Sequence, residues 1–393
     1  MDFRRLEDAS LNGNTALVRV DFNVPRNEAG DITDDTRLQA ALPTIKALQA
    51  KGAKIVLLSH FGRPKGEVDP ALSLRFIQTP LSEALGTDVT FSDTLDPSVV
   101  NTLSDGDVLL LENTRFHPGE TKGNVALAKD MAALGDVFIM DAFSAAHRDH
   151  ASSAGIAEFL PAYAGLAMER ELDHISRALD IPKKPVMAIV GGAKVSTKID
   201  LLKNLVSRLD RLVIGGGMAN TFLFAQGYDV GASLCEKDLK ETALTILKNA
   251  KAADCEIILP KDVVVATEFK AHAESRVCGL DEVKSDEMIL DAGPDTVDAI
   301  MDAMEASQTL IWNGPLGAFE LTPFDTSTVE SAKYAAKLCR NDKIIAVAGG
   351  GDTVSALNQA GVSDDFTFIS TAGGAFLEWM EGKILPGVEI LRK

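Results

Sequence analysis

The stretch Lys343–Gln359, KIIAVAGGGDTVSALNQ, decides the fold. Lys343–Ala348 is an apolar, β-branched run without polar alternation, the pattern of a strand covered on both faces. Gly349-Gly350-Gly351 interrupts it. Asp352 stands where a helix would be capped, and Thr353–Gln359 carries a helical pattern. The same strand–turn–helix unit recurs outward from this point. Strand-like runs precede it at Val186–Val190, Arg211–Ile214, Glu256–Leu259 and Thr309–Trp312, and Phe366–Ile369 follows. Helical patterns fall at Lys198–Leu209, Leu239–Ala252 and Thr296–Ala306. The first half repeats the rhythm. Its strands are predicted at Ala16–Val20, Lys54–Leu58, Asp107–Leu111 and Val137–Met140, with helices at Thr36–Ala50 and Asn124–Leu134. This alternation predicts an α/β protein of two doubly wound, Rossmann-like domains with parallel sheets. A charged helical stretch, Met168–Leu179, runs into Asp180–Pro185, where two prolines stop it near the division. A helical hinge is expected there, between domains spanning residues 1–172 and 173–379.

The 393 residues suffice for two cores. No apolar run reaches the roughly 18 residues that cross a bilayer, and the start, MDFRRLEDAS, lacks a secretory apolar segment, so a cytoplasmic protein is expected. Four scattered cysteines, with no C-x-x-C pair, fit a reducing compartment. The net charge of −18 argues against nucleic acid and anionic membranes as partners. A small phosphorylated ligand then needs local cationic pockets. The cations are unevenly used: residues 1–180 hold 11 of 16 arginines, and residues 181–393 hold 17 of 23 lysines. Arginine suits planar, multidentate recognition of carboxylate and phosphate, whereas lysine is a mobile point charge.

Ligands in open α/β sheets bind beyond the carboxyl ends of the strands. In the first half those positions read Asp21 and Asn23 (VRVDFNVP), His60 and Arg63 (LLSHFGRPKG), Asn113 and Arg115 (LLENTRFHPGE), then Asp141, His147, Arg148 and His150 (IMDAFSAAHRDH). Arg37 opens the following helix in DDTRLQAA. One strand-end arginine is ordinarily a surface ion pair. Four at equivalent positions predict a pocket for a small, multiply charged anion, with Asp21 and Asn23 bonding its polar groups. His147 and His150 lack the partner motif of a metal site.

In the second half the strand ends carry glycines: Gly191-Gly192, Gly215-Gly216-Gly217, Gly349-Gly350-Gly351 and Gly373-Gly374, with Trp312-Asn313-Gly314-Pro315 and Glu320 beside them. Glycine allows close backbone approach, and helix N-termini suit phosphate. Neither G-x-x-x-x-G-K-[ST] nor a strand-following G-x-G-x-x-G occurs, so this is no Walker protein and lacks the dinucleotide fingerprint. Lys194 and Lys198 share a face if helical, and are either solvated or phosphate-neutralising. Asp352 is either a helix cap or a carboxylate for Mg²⁺ carried by nucleotide phosphates.

A compact anion on one domain and a polyphosphate on the other imply group transfer between them, with hinge closure excluding water. No nucleophile–base constellation is visible. That fits a substrate carboxylate that attacks unaided, being already ionised. Two other classes compete. A non-catalytic anion-binding protein does not account for Lys194 or Asp352, and a nicotinamide oxidoreductase lacks its fingerprint.

Over essentially its full length the chain resembles the phosphoglycerate kinase family. The likeness rests on VRVDFNVP, DDTRLQAALPTI, LLSHFGRPKG, ENTRFHPGE, DAFSAAHRDHAS, VGGAKVSTKI, IGGGMANTFL, WNGPLGAFE, AVAGGGDTVSAL and STAGGAFLEWMEGK, in family order. The resemblance implies reversible, in-line transfer of a phosphoryl group from 1,3-bisphosphoglycerate to MgADP, giving 3-phosphoglycerate and MgATP, in glycolysis and gluconeogenesis. It implies glycerate binding by Asp21, Asn23, Arg37, His60, Arg63, Arg115 and Arg148, and catalytic roles for Arg37, Lys194, Gly350 and Gly373. The nucleotide would fall to Lys194, Lys198, Gly216, Asn313, Glu320, Gly349, Gly350, Gly351, Asp352 and Thr353, with Asp352 on Mg²⁺. It further implies a monomer whose segment near 380–393 returns to the N-terminal domain. Ser144-Ala145 stand where the family usually has Gly-Thr, and Ala372 where it has the first of three glycines. A positive φ at Ala372 would add roughly 1 kcal/mol of strain.

Overall fold

β1 (Thr15–Arg19) is buried at every position, so it needs apolar cover on both faces and receives it. α1 (Thr36–Ala50), β2 (Lys54–Leu58), α2 (Gln78–Leu85), β3 (Val89–Ser92), β4 (Val108–Leu111), α3 (Val125–Ala132), β5 (Val137–Met140) and β6 (Ala162–Ala164) complete a six-stranded sheet. Its order is β3-β4-β2-β1-β5-β6, and every pairing is parallel. Val18, Ile55, Leu57, Leu110 and Ile139 pack with Leu38, Ile45 and Leu48 of α1. Burying each such side chain contributes about 1.5–3 kcal/mol. The computed structural model describes residues 2–370 and 372–393.

α4 (Leu166–Leu179) follows β6 and ends ahead of Pro182. Asp141 Oδ1 accepts the backbone N–H groups of Ala167 and Met168 at 2.9 and 3.2 Å, satisfying two orphan donors at its start. The chain divides into two compact units, one running up to Asp173 and including Ile384–Lys393, the other comprising His174–Lys383.

The second unit contains β7 (Val186–Val190), α5 (Ile199–Leu205), β8 (Arg211–Ile214), α6 (Gly217–Gln226), α7 (Lys240–Ala252) and β9 (Glu256–Ile258). Next come β10 (Asp262–Ala266), β11 (Ser275–Gly279), β12 (Met288–Ala292), α8 (Pro294–Glu305), β13 (Thr309–Asn313) and α9 (Thr326–Arg340). β14 (Ile345–Gly349), α10 (Gly351–Gln359), β15 (Phe368–Ser370) and α11 (Gly373–Met380) close it. Its main sheet, β15-β14-β13-β7-β8-β9, is again wholly parallel. The alternation alone did not predict the three-stranded sheet β11-β10-β12, which is antiparallel. β11 is largely solvent-facing, so it has no continuous apolar run to betray it.

The helix read at Lys198–Leu209 begins within one residue of that start, as α5, and ends earlier, at Leu205. A separate 3₁₀ turn at Val195–Thr197 lies between it and Gly191-Gly192. Lys194 is extended and exposed, and Lys198 immediately precedes α5, so the two lysines do not share a helical face. α12 (Pro386–Glu389) belongs to the first unit. There Phe3 bridges Arg392, and the Gly387 N–H donates to the Ala146 carbonyl at 2.8 Å.

Candidate active site

The four central strands of the first sheet each deliver a polar group at the same edge. Asp21 and Asn23 follow β1, His60 and Arg63 follow β2, Asn113 and Arg115 follow β4, and Ser144, Arg148 and His150 follow β5. Arg37, in the first turn of α1, reaches back to this edge. Its Nη1 donates to the Asn23 carbonyl at 2.9 Å and lies 3.1 Å from Asp21 Oδ2. Asn23 Oδ1 accepts from the Gly62 N–H at 2.9 Å, tying the β1 and β2 ends together. Asn113 is fully buried, and its amide bonds Phe61 and Leu72. It is therefore a brace for the loops rather than a ligand group. Arg63 and Arg148 are exposed.

Arg19, the last residue of β1, is a residue that sequence reasoning missed. It is only 1% exposed. Its Nε donates to Ser152 Oγ at 3.0 Å, its Nη1 donates to the Val20 carbonyl, and its Nη2 meets His60 Nδ1 at 2.9 Å. A guanidinium has no acceptor, so His60 Nδ1 accepts and the neutral ring carries its proton on Nε2. Burial, then the charges of Arg19 and Arg115, hold the His60 imidazole well below its ordinary range. Ser152 Oγ in turn donates to Glu120 Oε1 at 2.5 Å, and Glu120 is fully buried. The available signal was a lone arginine inside a strand otherwise made of apolar residues, in a position where a charge requires partners.

Arg115 is half-buried. Desolvation, Arg19 and Arg148 depress its ionisation, the mark of crowded guanidiniums. Its Nη1 donates to the Gly62 carbonyl at 2.7 Å, while its buried Nε–H finds no hydrogen-bond partner among the described residues. Like charges gathered with an unsatisfied donor make a receptor for an anion.

In the second unit the strand ends do two different jobs. At Gly191 a Cβ would stand 1.8 Å from the Pro315 carbonyl oxygen, and at Gly314 a Cβ would stand 2.2 Å from that of Gly191. These glycines let β7 and the β13 end cross closely; they serve packing. Gly349 likewise makes room for the Phe376 ring. At Gly351 and Gly373, the first residues of α10 and α11, a Cβ would meet nothing within 4 Å, and the leading N–H groups of a helix have no intrahelical partner. Gly350 turns the chain into α10 with φ +100°, and Gly216 turns it into α6 with φ +67°.

Lys198 Nζ donates to Asn313 Oδ1 at 2.5 Å and to the Asn313 carbonyl at 3.2 Å. Asn313 Nδ2 donates to the Gly349 carbonyl at 2.7 Å. Burial pushes the Lys198 ammonium down to about 8, against the opposing charge of Asp352. Thr353 is buried, and its Oγ1 accepts the Gly314 N–H at 2.7 Å. Asp352, Lys194 and Glu320 are exposed. Among the described residues no group of three or more His, Cys, Asp or Glu side chains is placed to hold a metal ion. A single exposed carboxylate at a helix start suits an ion that arrives with phosphates and keeps its waters. Ala372 has φ −95°, so the strain considered for it does not arise. Its neighbour Thr371 lies outside the described residues.

A guanidinium-lined edge on one parallel sheet and a glycine-and-lysine edge on another define an α/β phosphotransferase. The family model described as phosphoglycerate kinase matches residues 6–383. Over 395 residues the chain is 62% identical to a phosphoglycerate kinase of Caulobacter vibrioides, covering all of both chains. It is 59% identical to that of Maricaulis maris, covering 98% of this chain and 97% of the other. The solved structure of the Coxiella burnetii phosphoglycerate kinase superposes with a TM-score of 0.93 at 41% identity, covering 99% of this chain and 98% of that one. The chain belongs to the phosphoglycerate kinase family. Its activity is the reversible transfer of a phosphoryl group between 1,3-bisphosphoglycerate and ADP, a glycolytic reaction that uses a nucleotide substrate.

Proposed function

We propose that the two sheet edges divide the reaction's ligands between them. Asp21, Asn23, Arg37, His60, Arg63, Arg115 and Arg148 hold the glycerate substrate, and Arg37 also stabilises the moving phosphoryl group. Lys194 serves the transferred phosphate, and Lys198 and Thr353 serve the nucleotide phosphates. Gly216, Asn313, Gly349, Gly350, Gly351 and Gly373 shape that cradle, with Gly350 and Gly373 next to the chemistry, and Glu320 takes the ribose. Asp352 would hold Mg²⁺, which when bound neutralises phosphate charge. The glycerate carboxylate is ionised at neutral pH and attacks without a general base. His60 therefore serves as a neutral donor from Nε2, and the guanidiniums supply charge where the transition state develops it.

The observation that carries this reading is the unpartnered Arg115 Nε–H amid crowded cations. Calorimetric titration of Arg115→Lys tests it. Lysine keeps the charge and loses the planar donors, so 3-phosphoglycerate affinity falls about tenfold or more while ADP affinity holds. Unchanged 3-phosphoglycerate affinity would remove Arg115 from the site. We also place the enzyme in the cytoplasm as a monomer. Its four cysteines are free, and no helix among the described residues is long and apolar enough to cross a membrane.

A further inference from the structure

We propose that Ser144 is a positioning residue that keeps Arg37 available to the reaction by holding Asp21. The inference rests on the reading of Asp21 and Arg37 given above. Asp21 is a shared acceptor for three segments. Its Oδ1 accepts the Asn23 N–H at 3.0 Å, from its own loop. Arg37 Nη1, from α1, stands 3.4 Å from Oδ1 and 3.1 Å from Oδ2. Ser144 Oγ, from the turn after β5, donates to Oδ2 at 2.5 Å. The carboxylate side chain is only 12% exposed, so water contributes little to these bonds.

The distances rank the competitors. A hydroxyl on a carboxylate bonds at about 2.5–2.7 Å, and Ser144 is there; a guanidinium on a carboxylate bonds at about 2.7–2.9 Å, and Arg37 is not. Ser144 therefore takes the closer place on Oδ2 and leaves Arg37 with a long, shared contact. Its nearest other tie is a backbone carbonyl, that of Asn23. An arginine held loosely by its carboxylate can turn to a new anion at small cost. One clamped bidentately must first lose a charge-assisted pair in a partly desolvated place. Removing the hydroxyl leaves Oδ2 short of a donor, and Arg37 is the nearest one to close on it.

The consequence falls on turnover more than on binding. His60, Arg63, Arg115 and Arg148 still hold the ground-state anion, whereas the transferring phosphoryl group needs Arg37. Ser144→Ala is expected to lower kcat about fivefold, the scale of one hydrogen bond's net contribution, with KM for 3-phosphoglycerate and for ADP within about twofold of wild type. The nucleotide KM doubles as the check on folding, and Ser144→Gly replaces the alanine variant if that variant does not fold. The second arm is a double-mutant cycle. In an Asp21→Asn background Arg37 has no carboxylate to close on, so Ser144→Ala has no further effect on kcat. A kcat within twofold of wild type in Ser144→Ala, or the same loss with and without the Asp21 carboxylate, overturns the proposal. Failure of the underlying reading looks different: Arg37→Ala then retains normal turnover.

Discussion

His150 shows how one residue couples the site to acid stability. It is buried with its Nδ1 3.9 Å from Glu120 Oε1, under the field of Arg115, Arg19 and Arg148. Burial, aided by those arginines and opposed by Glu120, pushes its imidazole down to about 4. The unfolded chain takes up this proton near pH 6.5, and the folded chain only near pH 4. The unfolded state therefore binds more protons between those values, and stability falls as pH drops through them. The loss attributable to His150 is on the order of 2–3 kcal/mol. His150→Asn should flatten that part of the slope when urea midpoints are compared at pH 7 and pH 4.5. Parallel curves for the two proteins would show that His150 titrates in both states alike. The positions of the strand-end residues of this unit were legible because a polar group closing an apolar run stands out, but not their tasks: Asn113 braces the loops and Asp141 caps α4. Arg19 was not, because within Ala16–Val20 a single charge reads as noise unless its partners, Ser152 and His60, are known to lie beside it.

The elements differ in how openly they declare themselves. The ten central and flanking parallel strands read from the sequence were found within one or two residues, since burial on both faces demands continuous apolar runs. α9 buries Ser327, Thr328, Ser331, Ala332, Ala335 and Ala336, with Leu338 as the large apolar residue among them, so its inward face reads as small and partly polar. α6 is apolar nearly all round and shows no stripe. α4 adds a titratable start. Asp141 is 5% exposed, and burial raises its carboxyl to about 7 despite the two helix N–H groups it accepts. Desolvation here outweighs the favourable helix terminus. The folded state binds more protons between pH 3.8 and 7, so this group subtracts stability as pH rises through that window. Asn at 141 keeps an acceptor for both N–H groups and never ionises. Asp141→Asn should therefore gain on wild type as pH rises, by on the order of 2 kcal/mol between pH 5 and pH 8 in urea unfolding. A variant that loses ground at pH 8 would mean the ionised carboxylate is the better cap.

At the scale of the whole molecule, the chain's two ends meet in the first unit. Arg4 N–H donates to the Leu391 carbonyl at 2.8 Å, and Leu385, Val388 and Leu391 are buried. At about 1.5–3 kcal/mol for each such side chain, this segment contributes on the order of 5 kcal/mol to one unit of the protein. It also reaches the glycerate-side residues. Gly387 bonds the carbonyl of Ala146, which lies two residues from Ser144 on one side and from Arg148 on the other. The loop bearing both is thus fixed at its middle by residues more than two hundred positions away. The second unit, His174–Lys383, is continuous in sequence and does not include the segment. Ending the chain at Lys383 should therefore separate the two ligands. Affinity for 3-phosphoglycerate falls by about tenfold or more, as the loop loses its brace and the first unit much of its stability, while ADP affinity stays near that of the full chain. Titration calorimetry with each ligand alone reads both quantities in one preparation. If the shortened chain loses both ligands equally, the C-terminal segment supports the protein as a whole. If it loses neither, the Gly387–Ala146 tie has no bearing on the glycerate edge.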